Sequence, residues 1–413
     1  METTHPFSFR GREGSAAVTY RGNEDPERWG YRLLGLPWPS SLATGLPVLE
    51  VDVSTIRALP RPCSTLRHRR RATSASSHWA QPGFLALVDR HRYRRPVSRP
   101  EIRAFAEDHL DAAGSLLASR HREHRAAEPL LSEGFEDDDA ARGEVASLWA
   151  QEDASGAVAL REGHVIGFLL GTRKNDQTWG ANVWVEAAGY AVEEPELVRD
   201  LYAVASQRWV DEGRTRHYAL VPGLDDHVGA WFRLSFGVQQ AHGIKEVDER
   251  PWPPGTRRAE HRDIEALIEL VPLISDHHAL APVFSGIDLV EDADQLRAML
   301  AADIANDQLG ELVYEREGRV VATFELVPVE KGSMHRGLAQ PDGAALLGFA
   351  ASLPEVRGSG AGRALTEAAF AWAHEQGYAT MVTDWRETNL LSSRFWPARG
   401  FRRSFLRLYR SIP

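Results

Sequence analysis

The 413-residue sequence predicts an α/β protein built from two tandem copies of one domain, each a mixed central sheet flanked by helices, preceded by an N-terminal extension. Three observations carry this expectation. From about residue 100 onward, apolar runs of strand length alternate with amphipathic runs of helix length. A set of positions recurs about 155 residues later, a period that fits a duplicated domain rather than a solenoid unit. Between the two sets lies Pro251-Trp252-Pro253-Pro254-Gly255, a stiff segment that cannot join a sheet interior.

The recurring positions run in order along both copies. Arg103 and Asp108 return as Arg258 and Asp263, and His124 and Pro129 as His277 and Pro282. The hairpin made of Ala157-Val158-Ala159-Leu160, Gly163 and Val165-Ile166-Gly167-Phe168 returns as Leu312-Val313-Tyr314, Gly318 and Val320-Val321-Ala322-Thr323. Trp231 to Phe236 returns as Trp396 to Phe401, at a spacing that has grown by about ten residues. The growth falls between hairpin and last helix, where the glycine loop described next lies. Each copy reads as strand, two helices, hairpin, strand, long helix, strand and short helix. The expected segments are an extension over 1–97, a first copy over 98–248 and a second over 256–413.

In the second copy the apolar run from Ala344 to Leu353 reads as a buried strand, and Ala364 to Gln376 reads as an amphipathic helix. Between them stands Arg357-Gly358-Ser359-Gly360-Ala361-Gly362-Arg363. Strand, glycine-rich turn and helix is how a backbone builds a pyrophosphate site. Glycines permit close approach and positive φ, and successive N–H groups at a helix N-terminus converge on the anion. Arg357 and Arg363 add charge that can pair with phosphate oxygens. The spacing lacks the Gly-Lys-Ser/Thr of a nucleotide-hydrolase loop and departs from G-x-G-x-x-G.

A second apolar strand, Ala379 to Thr383, is followed by Asn389 and, further on, by Trp396 and Gly400-Phe401. Taken with the glycine segment, these residues resemble the GCN5-related N-acetyltransferase (GNAT) family. Its acetyl-CoA motif, Arg/Gln-x-x-Gly-x-Gly/Ala, is matched at Arg357, Gly360 and Gly362. Its next motif is matched at Asn389, Gly400 and Phe401. Ser392 stands where that motif has Ala, and Trp396 where it has Tyr. The resemblance implies acetyl-CoA as co-substrate and places its pyrophosphate on the amides of Arg357, Gly358, Ser359, Gly360, Ala361, Gly362 and Arg363. It implies that the pantetheine arm pairs with an edge opened between the fourth and fifth strands, near Ala351, Ser352 and Leu353, with Asn389, Ser392 and Trp396 beside it. The reaction it implies is acetyl transfer to a primary amine of a small molecule or protein. The alternative is an acetyl-CoA-binding sensor that catalyses nothing, and Trp396 favours it, because an indole N–H is no useful proton donor.

Acetyl transfer to an amine needs a base, an oxyanion stabiliser and an acid for the leaving thiolate. Glu325 on the second hairpin strand, Glu355 before the loop and Asp384 at the end of the fifth strand are candidate bases, since a carboxylate can take the amine's proton through one water. Trp396 occupies the position of the family's usual acid, and we expect it to be a wall of the pantetheine tunnel. Backbone N–H groups near Ala351 to Leu353 would polarise the carbonyl. His277-His278 lies where the family places an acceptor-binding helix. His121 and His124 have helical spacing but no third ligand, and no metal is expected. The first copy has Ala191-Val192-Glu193-Glu194-Pro195-Glu196-Leu197 where the second has its glycines. Three carboxylates repel a pyrophosphate and Pro195 removes an N–H, so this copy is expected to be degenerate.

Composition bounds the rest. One cysteine, Cys63, excludes an intrachain disulfide and a cysteine-based metal cluster. Without an apolar run near ~20 residues or a secretory leader, a soluble cytoplasmic protein is expected, with no membrane partner. Three lysines against 45 arginines, with much alanine, suggest a GC-rich bacterial genome. Residues 1–100 hold 16 Arg and 8 Asp plus Glu, a net of +8, so the remainder carries −18 of the total −10. An acidic body argues against nucleic acid as a specific partner. The basic cluster Arg67-His68-Arg69-Arg70-Arg71 lacks aromatic interleaving, and residues 1–97 are expected to be a disordered extension or the product of a start placed too far upstream. A monomer or homodimer is expected.

Overall fold

In the computed structural model, residues 2–9, 12–19, 99–285 and 292–413 are described. The chain divides into two compact units, Met1–His91 and Arg92–Pro413. In the first unit, β1 (Glu2–Phe9) pairs antiparallel with β2 (Arg12–Thr19), from Glu2 opposite Thr19 to Phe9 opposite Arg12. The expectation for the remainder of 1–97, including the cluster at Arg67 to Arg71, falls outside the described residues.

The second unit carries the tandem repeat. The first copy runs β3 (Glu101–Ala104), α1 (Leu110–Ala127), α2 (Asp138–Trp149), β4 (Ser155–Arg161), β5 (His164–Gly171), the short α3 (Asp176–Trp179), β6 (Asn182–Val185), β7 (Tyr190–Val192), α4 (Leu197–Asp211), β8 (Arg216–Pro222), α5 (Asp225–Phe232) and β9 (Gly237–Glu246). The second runs β10 (Thr256–Arg258), α6 (Ile264–Leu270), α7 (Pro272–Ala279), α8 (Ala293–Ile304), β11 (Gly310–Arg316), β12 (Arg319–Pro328), β13 (Ala345–Ser352), α9 (Ala361–Glu375), β14 (Thr380–Arg386), α10 (Ser392–Phe395) and β15 (Arg402–Ser411). The α/β class and the tandem arrangement predicted from the repeat are therefore present.

Alternation along the strands decides what each face covers. Val313, Val321 and Ala351 face α6 and α8, packing with Ile264, Leu267, Leu270, Leu296 and Leu300. Leu312, Phe324 and Leu326 face the other way, into the cluster that holds Leu365, Ala369 and Trp372 of α9. Helix α9 forms because alanine fills it and its apolar residues recur at three- and four-residue spacing. It ends in a Schellman closure: Gly377 is left-handed, its N–H donates to His374 O, and Tyr378 N–H donates to Ala373 O.

Two features differ from the sequence expectation. Each copy ends in one further strand, β9 or β15, and these strands are exchanged. The nine-stranded sheet has the order β10-β11-β12-β13-β14-β9-β15-β8-β6. Thus β9 of the first copy pairs with β14 of the second, and β15 of the second pairs with β8 of the first. The two exchanged strands also pair with each other. The remaining strands of the first copy form a separate sheet, β3-β4-β5-β7. Secondly, most of the added length in the second copy is not at the glycine loop. It lies in the connection 329–344 between β12 and β13, against 172–181 in the first copy.

The exchange predicts that the copies cannot fold apart. Fragments cut in the Pro251–Gly255 linker should each fail to give a cooperative thermal transition by circular dichroism, and should recover one when co-expressed. A second-copy fragment melting cooperatively on its own, at the temperature of the whole chain, would contradict this.

Candidate functional site

The site begins where two parallel strands part. Strands β13 and β14 pair only through Ala345–Met381, Leu346–Val382 and Leu347–Thr383. Beyond that, β13 stays with β12 as far as Ser352, while Asp384, Trp385 and Arg386 follow β9. The Thr383 hydroxyl donates to Leu347 O at 3.0 Å and fixes the apex. The β12–β13 register shifts between Glu325 and Leu326, leaving Gly348 as the extra residue of a bulge beside the parting point. Leu353 N–H donates to Val321 O at 2.9 Å, so this pair belongs to the bonded class. Antiparallel pairs alternate, so Ala351 is also bonded to β12, while Ala350 and Ser352 turn their N–H and C=O groups to the opening. Of the three positions expected to supply amides, Ser352 faces the gap, and Ala351 and Leu353 are committed to β12. Ala350 is the position that pattern alone did not single out, because the bulge sets the register.

The glycine segment follows at once. Pro354–Val356 forms one 3₁₀ turn, and Gly358 and Gly360 take φ of +81° and +100°. Gly360 is the N-cap of α9, with no side chain capping the helix. Its carbonyl accepts from Ala364 N–H at 2.9 Å, so the N–H groups of Ala361, Gly362 and Arg363 have no partner within the helix. Arg357, Ser359 and Arg363 are exposed around them. Uncapped amides, a left-handed glycine and two free cationic side chains fit the pyrophosphate of acetyl-CoA.

Asn389 closes the opposite side. Its Oδ1 accepts from Leu391 N–H at 3.0 Å and Ser392 N–H at 3.4 Å, which starts α10. His277 Nε2 lies 3.1 Å from the same oxygen, and Asn389 Nδ2 lies 3.2 Å from His278 Nε2. Both histidines of α7 are thereby tied to the tail of β14. Burial, then the charge of Arg386 and of His277, push His278 down to about 4, so near neutral pH it is an uncharged acceptor for the amide. Phe395 meets Gly362, where an added Cβ would lie 3.4 Å from the ring. Trp396 is buried against Phe324, Phe395 and Phe401, with ring centroids 5.7, 4.9 and 5.5 Å away. Trp231 of the first copy holds the same place against Tyr190 and Phe236.

The candidate bases separate. Glu325 is opposite Glu311 on β11 and Phe349 on β13, on the face that carries α6 and α8. A methyl group on Gly348 would stand 3.9 Å from Glu325 Oε2, so this carboxyl lies beside the apex. Burial raises its pKa, and the nearby Asp303 adds to the rise. Glu311 is pushed up to about 8 by burial, against its hydrogen bond to Thr323 and with help from Glu325 and Asp303. Asp384 lies across the opening on β14, where it accepts from Gln240 Nε2. Glu355 is exposed, 3.8 Å from Arg319. No group of three or more metal-ligating side chains occurs among the described residues, and no helix among them is long and apolar enough to cross a membrane.

In the first copy the corresponding strand is broken in two. Strand β6 pairs with β8 and β7 with β5. The buried Arg120 of α1 donates to Ala187 O at 2.5 Å, inside the break, and to Tyr190 O at the start of β7, so a side chain takes up carbonyls at the break. The acidic stretch is ion-paired: Arg161 lies 3.9 Å from Glu193 and 3.5 Å from Glu194, and Glu196 meets Arg199 and Arg233.

The raised pKa of Glu311 has a consequence for stability. Folding lifts it from an ordinary 4.5 to about 8, so between those values the folded state holds a proton that the unfolded state has lost. Stability from this group is fully present below the unfolded value and is lost as pH rises through the folded one. Glu311→Gln should therefore raise Tm by a few degrees at pH 8 and leave it unchanged near pH 4, as calorimetric melts across that range would show.

No curated protein matches the sequence. The structure is similar to a GCN5-related N-acetyltransferase from Sphaerobacter thermophilus, at 12% identity over 76% of this chain and 96% of that one, with a TM-score of 0.43. It is similar to a tandem GNAT protein from the clavulanic acid biosynthesis pathway, at 14% identity over 76% and 99%, with a TM-score of 0.39. It is also similar to a GCN5-related N-acetyltransferase from Kribbella flavida, at 16% identity over 66% and 95%, with a TM-score of 0.33. In sequence, residues 277–401, which contain the opening, the glycine segment and Asn389, match the acetyltransferase (GNAT) family.

Proposed function

We propose that this protein is an N-acetyltransferase that uses acetyl-CoA, with the chemistry in the second copy, over 256–413, and a first copy, over 98–248, that does not bind CoA. The observation that carries the reading is the junction itself. A parallel strand pair opens at Leu347 and Thr383, directly before an uncapped glycine helix start and beside the half-buried carboxyl of Glu325.

Bound acetyl-CoA would supply an acetyl group activated as a thioester. The amides of Gly360, Ala361, Gly362 and Arg363 hold its pyrophosphate, with Arg357 and Arg363 supplying charge. The outward amides of Ala350 and Ser352 offer the pantetheine arm a strand edge to pair with. Trp396 acts as an apolar wall, packed as Trp231 is in a copy whose strand break is filled by Arg120.

Glu325 takes the proton of the attacking amine. Its raised pKa brings it closer to neutrality than an ordinary carboxyl, which improves a general base. Glu311, pushed up to about 8, holds its proton near neutral pH, so the neighbouring charge that favours a cationic amine as acceptor is that of Asp303. Asp384, tied to Gln240, positions the far wall. An acetyl-CoA sensor is the second reading, since Trp396 removes the phenol that would protonate the leaving thiolate. Thiol release with a panel of primary amines separates them.

Two outcomes are expected. Glu325→Gln should lower the rate of thiol release roughly 10²–10⁴-fold and leave CoA affinity unchanged by calorimetry; an undiminished rate would remove Glu325 from the reaction. The acid limb of the pH–rate profile should reflect its raised pKa and disappear in the variant. Gly360→Glu should abolish CoA binding, because it places a side chain at a left-handed position and a like charge at the phosphate. Undisturbed CoA affinity in that variant would refute the loop assignment.

A further inference from the structure

The connection 329–344 runs along the first copy. Its segment 333–338 lines a cavity of about 280 Å³, with Glu144 and Leu148 of α2 and the turn 186–188 on other sides. Arg407 of β15 and His242 of β9 also line it. Arg407 is fully buried. Its Nη2 donates to Gln240 Oε1, while Nε and Nη1 have no partner among the described residues. It forms no ion pair within 4 Å among them, and its contacts are the rings of Trp179 and Trp184, 5.2 and 5.8 Å away. A buried guanidinium with two idle donors is costly, and an anion brought in from solution would satisfy it.

The rest of the lining suits an anion with an apolar body. Lys174 is held by Glu186 at 2.7 Å and lies over the Trp184 ring at 3.7 Å. Arg336 lines the cavity, is exposed, and makes no ion pair among the described residues. The His242 ring lies 4.5 Å from that of His335, tilted by 43°. Leu148, Leu220, Leu338 and Trp184 give an apolar wall. Glu144 is the carboxyl that no cation engages, and burial raises its pKa, which weakens its negative charge.

We propose that this cavity between the two copies binds a small organic carboxylate, its anion on Arg407 with Arg336 at the rim and its apolar body against Leu148, Leu338 and Trp184. Its lining shares no residue with Gly348–Ser352, Arg357–Arg363 or Asn389, so the proposal stands independently of acetyl transfer.

The test is calorimetry on the whole chain with 3-phenylpropionate, set against 2-phenylethylamine, which has a similar body with opposite charge, and against inorganic phosphate. Saturable binding of the carboxylate alone is expected. Arg336→Ala should weaken it by about tenfold or more, and Leu148→Trp, which fills the cavity, should abolish it, both with CoA affinity unchanged. Arg407→Met should abolish it without lowering Tm, since the side chain it replaces is a buried charge without an anion. The proposal is overturned by no saturable binding of 3-phenylpropionate, by equal binding of the amine, by binding of phosphate alone, or by binding that survives both Arg336→Ala and Leu148→Trp.

Discussion

The exchange of β9 and β15 is the constraint on which the rest of this structure depends. A lone final strand would leave each copy with an unpaired edge. By crossing over, each final strand completes the other copy's sheet, and their mutual pairing fuses both into nine strands. Side chains reinforce the crossing. Arg402 of β15 makes two-point contacts to the buried Glu128 of the first copy at 2.7 and 2.8 Å, and to Glu246 of β9 at 2.8 and 2.9 Å. Phe405 of β15 meets His124 of α1 edge-on at 4.7 Å. Gly243 of β9 admits Trp385 of β14, whose ring an added Cβ would approach to 2.4 Å. Any substitution at the second copy's opening is therefore borne by a frame to which both copies contribute.

Within that frame the two copies differ at the fourth strand. In the second, β13 is continuous, bulged at Gly348, and leaves the polar groups of Ala350 and Ser352 facing an opening. In the first, a turn at 186–189 breaks the strand, and Arg120 bonds the carbonyl of Ala187 within the turn and that of Tyr190 just after it. The physical requirement is common to both, since backbone polar groups taken out of a ladder must find partners. One copy meets it internally with a buried arginine, and the other leaves its amides for solvent or ligand. That difference, together with arginines pairing Glu193, Glu194 and Glu196, separates a closed copy from an open one by packing, as well as by the charge that the sequence displays.

Much of this could be read from residue order. The linker, the glycine segment and the Asn389 turn are local signals, because each rests on a few neighbouring residues with restricted conformations, and the duplication shows as recurrence in order along the chain. The final strands were not legible. Arg402 to Ser411 interleaves arginines with Phe405, Leu406 and Leu408, and the burial that makes it a strand comes from the other copy. The site's decisive register was hidden for a similar reason. A bulge at Gly348 determines which amides face the gap, and a lone glycine in the apolar run Ala344 to Leu353 signals a bulge without fixing the register it sets. Asn389 was recognisable, but its bonds to His277 and His278 join residues more than 110 positions apart. The connection 329–344 could be counted as added length, yet its placement against the first copy depends on the strand exchange.

The acidic side of the opening bears on the proposed amine acceptor. Glu311, Glu325 and Asp303 all have raised pKa values, each chiefly from burial. Glu311 is buried and Glu325 and Asp303 are half-buried, and holding carboxyls together on a face packed on α6 and α8 costs folding energy. Among the described residues, Lys331 acts on this group through Asp303. A neutral or anionic acceptor would leave the cost unrelieved or raise it. A protonated amine would lower it on arrival by its charge, and would then have to lose a proton before attack. The carboxyl nearest the apex, Glu325, can take that proton, and the charge that drew the amine in is removed in the same step. Under the proposed function, recognition of the acceptor and activation of its nitrogen are two uses of one partly buried acidic cluster.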